Sequence, residues 1–274
     1  MNINCRGKLV DLSVPQVMGI LNITPDSFYD KSRVNSIEEV VERAGKMLAE
    51  GATFLDIGGH STRPGAMPVS EEEESNRVVP VIEAILTHFP EALISIDTFR
   101  SKVAKAAVDA GAVIVNDVSG GLLDDAMFET VAAMQDVPYI VMHSRGTPET
   151  MNQLTHYDDL VVDILDDLQQ KVAVLRSLKQ KDIIIDLGFG FAKTVSQNYQ
   201  LLNQLEAFKV MDLPMLVGVS RKSMIWKKLD IAPSEALNGT TALNTVSVMK
   251  GANILRVHDV KEAMEVIKLV SFLG

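Results

Sequence analysis

Apolar and polar residues follow a long rhythm along the chain. Eight short runs rich in Val, Ile and Leu each close on a polar or charged residue, and each is followed by a stretch with helical spacing. The runs close at Leu21-Asn22, Leu55-Asp56, Ile96-Asp97, Val115-Asn116, Met142-His143, Ile185-Asp186, Val217 to Ser220, and Leu255-Arg256 with Val257-His258. Continuous apolar runs of this kind are what parallel strands buried on both faces require, and their alternation with helices predicts βα units. The expected fold is α/β, a single closed (β/α)8 TIM barrel spanning residues 1–274. In such barrels the chemistry lies where strands end and βα loops begin. Asn22, Asp97, Asn116, Asp186, Lys222, Arg256 and His258 are therefore expected in one pocket.

Local signals fill in the frame. Ile3-Asn4-Cys5 and Lys8-Leu9-Val10, turning at Arg6-Gly7, predict a short N-terminal hairpin suited to plugging the lower end of a barrel. Ser36 with Glu39 and Ser70 with Glu73 have capping-box spacing, and the acidic run Glu71 to Glu74 complements a helix N-terminus. Further helices are expected at about 100–111, 124–136, 157–180, 197–211, 221–229, 234–250 and 259–272. Two helices broken by Pro233 fall between the last two strands, which predicts an insertion there. The segments 22–33 and 58–68, after strands one and two, exceed an ordinary βα connection and predict long binding loops.

Composition narrows the function. A chain of 274 residues with 47% hydrophobic content suits one barrel. A formal charge of −10 argues against nucleic acid or an anionic membrane surface as a partner, though a basic rim can still take a small anion. Cys5 is the only cysteine, so neither an intrachain disulfide nor a thiolate metal cluster is available. Without a signal-like N-terminus or a run of ~20 apolar residues, the chain reads as a soluble cytoplasmic protein.

Three strand-end acceptors, Asp97, Asn116 and Asp186, suggest a ligand with several N–H groups along one flat edge, since buried carboxylates need donors. Each is alternatively a cap for the helix that follows. Arg256 and His258, two apart on the last strand, share a face and with Arg63 and the Gly58, Gly59 and Ser61 amides suit a phosphate; His258 alternatively pairs with Asp259. Ser220-Arg221-Lys222-Ser223 gathers a hydroxyl, amides and a cation at a helix start, unless Lys222 lies along the surface. Gly188-Phe189-Gly190-Phe191 is a glycine-rich loop without a dinucleotide fingerprint, and His143 and His156 lack companions at metal spacing.

Several stretches together resemble the bacterial dihydropteroate synthase family over essentially the whole chain. They are Met18-Gly19-Ile20-Leu21-Asn22-Ile23-Thr24-Pro25-Asp26-Ser27-Phe28, Ser61-Thr62-Arg63-Pro64-Gly65, Asn116-Asp117, Asp186 with Gly188-Phe189-Gly190-Phe191, Ser220-Arg221-Lys222-Ser223, and Arg256-Val257-His258-Asp259. The resemblance implies a cytoplasmic transferase of folate biosynthesis. It would condense 6-hydroxymethyl-7,8-dihydropterin pyrophosphate with para-aminobenzoate, use Mg²⁺, be a sulfonamide target and form a homodimer through its late helices. Carried onto matching positions, Asp97, Asn116, Asp186 and Lys222 would hold the pterin, and Asn22, Arg63, Arg256 and His258 the pyrophosphate, with Asn22 on the metal. Phe28, Thr62, Pro64, Phe191 and Ser220 would surround para-aminobenzoate, and Asp97, Lys222 and Arg63 would be catalytic. The chain departs from the family pattern at His60, where Glu is usual, and at Leu187, where Pro is usual. A methyltetrahydrofolate-dependent methyltransferase, which should lack the two long loops, and a pterin-binding module without turnover are the alternatives.

Overall fold

The computed structural model of the chain describes residues 1–23, 33–60 and 69–273. Strands β1 (Asn2–Cys5) and β2 (Lys8–Asp11) form the antiparallel hairpin, and both turn residues have positive φ, Arg6 at 52° and Gly7 at 94°. That double positive φ is the type I′ geometry whose twist matches paired strands.

The barrel follows. Its elements in chain order are β3 (Gln16–Asn22), α1 (Arg33–Ala49), β4 (Phe54–Gly58), α2 (Glu71–His88), β5 (Leu93–Asp97), α3 (Ser101–Asp109), β6 (Ile114–Asp117), α4 (Met127–Ala133) and β7 (Tyr139–Met142). They continue as α5 (Leu160–Ser177), β8 (Ile183–Asp186), α6 (Val195–Asn203), β9 (Met215–Val217), α7 (Ser223–Leu229), α8 (Leu237–Met249), β10 (Ile254–Val257) and α9 (Val260–Val270). Strands β3 to β10 pair in sequence and in parallel, and β10 returns to β3, closing an eight-stranded barrel. Helices α7 and α8 form the insertion expected between the last two strands.

Side-chain parity decides what faces the lumen. Met18, Phe54, Leu93, Ile114, Ile140, Ile184, Leu216 and Ile254 fill its lower half, where Ile3, Cys5, Val10 and Leu12 of the hairpin pack against them as a plug. Outward residues of the same strands, such as Leu55, Ile57, Ile94, Ile96, Val115 and Ile185, pack against the helices instead. Two or four positions above the lower layer, the same inward parity brings Asn22, Asp97, Asn116, Asp186 and Arg256 to the upper rim. One period-2 pattern therefore builds both the plugged floor and the polar mouth.

Several boundaries differ from the sequence reading. Ser36 lies inside α1 rather than ahead of it. Ser70 does cap α2, accepting from Glu73 N at 3.1 Å. Helix α4 begins late because the Asp124 carboxylate accepts from Ser101 N and Ala126 N, so Asp124 belongs to the turn. Helix α5 begins after Asp159, which accepts from Val161 N and Val162 N. The helix expected at 197–211 divides into α6 and the 3-10 segment Leu205–Met211, whose buried Leu205 and Phe208 have the three-residue spacing that a 3-10 turn aligns. The segments 24–32 and 61–68, which hold most of both expected long loops, lie outside the described residues.

The plug supplies a direct contrast. Leu12 is fully buried and Leu9 is 70% exposed on the same hairpin. Leu12→Ala is expected to lower the unfolding free energy by about 2–5 kcal/mol, and Leu9→Ala by less than about 0.5 kcal/mol, in urea denaturation.

Candidate functional site

The upper lumen is organised around one guanidinium. Arg256 rises from β10 and donates through Nε to Asp56 Oδ2 at 2.6 Å and through Nη2 to Asp97 Oδ2 at 2.5 Å. Asn116 Nδ2 donates to the same Asp56 oxygen at 3.0 Å, so β4, β5, β6 and β10 are linked across the lumen. Asp56 is fully buried, and its Oδ1 has no hydrogen-bond partner. A Cβ built on Gly58 would lie 3.7 Å from both Asn22 Oδ1 and Asp97 Oδ2, so both oxygens flank that glycine at the rim.

Burial raises the Asp97 carboxyl to about 7; Arg256 opposes that rise and neighbouring Asp56 adds to it. Burial lowers the Arg256 guanidinium, but the attraction of Asp56 and Asp97 more than offsets this and holds it well above its ordinary value. It is charged at any relevant pH.

Asp186 closes the opposite side. Its Oδ1 accepts from Gly188 N at 2.8 Å, and burial raises its pKa against the opposing pull of Lys222. Lys222 Nζ donates to Phe189 O and stands 4.9 Å from the centre of the Phe191 ring. Burial lowers Lys222 to about 8, with Asp186 pulling the other way. The glycine-rich loop between them is shaped by positive φ at Gly188 (67°) and Gly190 (82°); a Cβ on Gly188 would collide with His143 O. Leu187 is fully buried among the outer apolar residues, so its side chain takes part in the core.

Ser220 and His258 meet at the mouth, Ser220 Oγ lying 3.0 Å from His258 Nδ1 and accepting from His258 N at 3.2 Å. Asp259 is engaged elsewhere, holding Arg221 through Nε at 3.0 Å and Nη2 at 2.6 Å. The alternative pairing of His258 with Asp259 is thereby replaced by a His258 contact to Ser220. Neither Asp97, Asn116 nor Asp186 caps a helix, and Lys222 reaches over the site rather than along the surface. The bland readings of these four residues therefore fail.

Of the residues expected in the site, Asn22, Asp97, Asn116, Asp186, Phe191, Ser220, Lys222, Arg256 and His258 surround the mouth or its rim. Phe28, Thr62, Arg63 and Pro64 lie outside the described residues. His60, the last described residue before 61–68, has its ring edge-on to Phe99 at a centroid distance of 5.4 Å and its Nδ1 buried without a partner. Burial lowers its pKa.

Two residues escaped the sequence reading as site components. In the sequence Asp56 reads as the end of its strand, but β4 runs on to Gly58, which sets Asp56 one layer deeper in the lumen. Its two-residue offset from Gly58 was the available signal. Lys193 is buried beneath the glycine-rich loop, donating to Gly188 O at 2.9 Å and Phe191 O at 3.1 Å, and burial lowers it to about 7. A lysine just after a glycine-rich turn is too common a pattern to have marked it.

Comparison with known proteins decides the family. Residues 18–258 match the family described as pterin binding enzyme. The dihydropteroate synthase of Escherichia coli (strain K12) is 43% identical over 272 residues, covering 98% of this chain and 95% of that protein. The chain belongs to the dihydropteroate synthase family. A Yersinia pestis dihydropteroate synthase crystallised as a sulfonamide drug complex superposes with a TM-score of 0.92 at 41% identity, covering 100% of this chain and 99% of the other. A Xanthomonas albilineans dihydropteroate synthase with 4-aminobenzoic acid gives 0.91 at 36% identity, covering 99% and 97%. This membership sets aside the methyltransferase alternative and the module without turnover.

Within this dihydropteroate synthase site, Asp56 has the sharpest consequence for stability. Asp56→Ala leaves Arg256 with one carboxylate in a buried setting, and is expected to cost about 3 kcal/mol in urea unfolding, the low end for breaking a buried pair because Asp97 still faces the guanidinium.

Proposed function

We propose that this chain condenses 6-hydroxymethyl-7,8-dihydropterin pyrophosphate with para-aminobenzoate, releasing pyrophosphate and 7,8-dihydropteroate. The observation that carries the reading is the composition of the upper lumen, where Asp97, Asn116 and Asp186 stand at the ends of strands with their side chains facing inward and Lys222 and Arg256 supply the balancing cations. A pterin presents a flat row of N–H donors and one carbonyl acceptor. Asp186 and Asn116 take its donor edge, and Lys222 exchanges Phe189 O for the pterin's acceptor.

The bond that breaks joins the pterin methylene carbon to the pyrophosphate oxygen. The bond that forms joins that carbon to the aromatic amine, which loses a proton. As the C–O bond lengthens, positive charge grows on the methylene, and the Asp97 carboxylate at the rim stabilises it in a medium of low dielectric. Arg256, whose Nε and Nη2 hold the two carboxylates, keeps Nη1 for the departing pyrophosphate, with Ser220 and His258 lining the same side. Arg63, Thr62, Pro64 and Phe28 complete the pyrophosphate and amine pockets in this reading, with Phe191 as the described wall of the amine pocket. No side chain forms a covalent intermediate.

Among the described residues no three His, Cys, Asp or Glu side chains converge as a metal cage. The single hard oxygen of Asn22 at the rim near Gly58 fits Mg²⁺ nonetheless, because that ion is commonly held by one or two protein oxygens with phosphate and water completing the set. Asn22 would hold it, and it would supply charge neutralisation to the pyrophosphate. The proposed homodimer would pair through α8 and α9, a reading supported by the apolar surface that Met249 (60%), Leu269 (71%), Phe272 (82%) and Leu273 (73%) expose. Among the described residues no helix is long and apolar enough to cross a membrane, and the cytoplasm is the proposed location.

Incubation of the purified protein with both substrates and Mg²⁺ is expected to release pyrophosphate in equal amount to dihydropteroate, measured by coupled phosphate detection and chromatography. Folded protein that releases none would refute the reading. The pH dependence is equally specific. Asp97 must be ionised and Lys222 protonated, so kcat/KM should rise with pH through about 7 and fall above about 8. Asp97→Asn should remove the acidic limb and lower kcat/KM by roughly ten-fold or more, as expected for losing a charge-assisted contact. An unchanged acidic limb in that variant would assign it to another group.

A further inference from the structure

The segment after β7 is bound to the back of the glycine-rich loop by side chains that touch neither substrate in the reading above. His143 is buried, with Nδ1 2.8 Å from Asp167 Oδ2 of α5 and Nε2 3.2 Å from the Tyr157 hydroxyl. Lys171, one helical turn beyond Asp167, pairs with the same carboxylate at 2.8 Å and donates to Met142 O at 3.2 Å. The Tyr157 hydroxyl donates to Ala192 O at 3.0 Å. Its ring is held independently, by the Arg145 guanidinium stacked 3.8 Å from the ring centroid.

Ala192 needs such a partner. Its φ is +48°, a left-handed backbone that a residue with a Cβ adopts only at a cost of about 1–2 kcal/mol unless its surroundings enforce it. The adjoining residue is Phe191, whose ring faces Lys222 Nζ. Lys193 fixes the carbonyls of Gly188 and Phe191 from below, while Tyr157 alone among these side chains reaches the carbonyl of Ala192. The loop thus has two anchors, Lys193 beneath it on Gly188 O and Phe191 O, and Tyr157 behind it on Ala192 O.

We infer that Tyr157, its ring held by the Arg145 stack, is a positioning residue for the aromatic amine: through the Ala192 carbonyl it holds Phe191 against Lys222 as a wall of the pocket for the second substrate. The inference rests on the proposed role of Phe191 as that wall. Tyr157 acts on binding of the amine and leaves the pterin end of the loop to Asp186 and Gly188, while Lys193 braces both ends through Gly188 O and Phe191 O.

Tyr157→Phe removes one hydroxyl and keeps the ring and its stack on Arg145. Steady-state kinetics is expected to show KM for para-aminobenzoate raised about five-fold, the worth of one hydrogen bond, with kcat and KM for the pterin substrate changed by less than about two-fold. Phe191→Ala should raise the same KM, and Tyr157→Phe added to it should change KM little further, because both act through one side chain. Hydrogen exchange should quicken at the 189–193 amides of Tyr157→Phe and not elsewhere. A lowered thermal midpoint with an unchanged amine KM, or additive effects in the double variant, would overturn the inference. If the wild-type protein makes no product, or Phe191→Ala leaves the amine KM unchanged, the functional reading fails, and the exchange data still report whether Tyr157 holds the loop.

Discussion

The guanidinium of Arg256, held between Asp56 and Asp97, is the interaction on which the upper half of the barrel depends. Three strands that are not sequence neighbours of β10 place polar groups on it directly or through one intermediary: β4 through Asp56, β5 through Asp97, and β6 through Asn116 on Asp56. A buried ion pair is weak evidence for net stability, because desolvation consumes much of the attraction. Its value here is positional. Removing Arg256 would leave two buried carboxylates without a cation, and removing Asp56 would strip both the guanidinium and Asn116 of a partner, so the arrangement is tightly specified even where it contributes little to the folding free energy.

The charge balance extends around the rim. Asp56, Asp97 and Asp186 face Arg256, Lys222 and Lys193, and burial pushes Asp97, Lys222 and Lys193 towards neutrality while Arg256 remains charged. Groups held near their titration points respond strongly to a ligand that adds donors on one side and negative charge on the other. A pterin carrying pyrophosphate has that polarity: its heterocycle meets the carboxylates and, through its one acceptor, Lys222, while its leaving group meets Arg256. Lys222 on Phe189 O is a contact within the protein that a ligand acceptor can replace without leaving the ammonium unpaired.

Much of this was legible in the sequence because parity along a strand is strict. Once the runs ending at Asn22, Asp97, Asn116 and Asp186 are read as parallel strands, their last inward residues must share a rim, and the hairpin at Arg6-Gly7 announces its turn by composition alone. Depth within the barrel was less legible. Asp56 looks like a strand end because a charged residue interrupts the apolar run, yet Ile57 continues the outer face and Gly58 the inner, and only pairing with β3 and β5 reveals the extra layer. The support behind the loop was hidden for a different reason. His143, Tyr157, Asp167 and Ala192 are far apart along the chain, and no spacing rule brings a helix-face carboxylate to a histidine in a preceding loop.

The most direct measurement is calorimetric titration of a phosphate-free pterin into the wild-type protein and into folded Asp186→Ala. If the upper lumen is the pterin pocket, the wild type binds the ligand and the variant binds it at least about ten-fold more weakly, since a charge-assisted acceptor is lost and the ligand's donors are left unpaired. Equal affinity in the two proteins would contradict the account and return Asp186 to the role of bracing its own loop through Gly188.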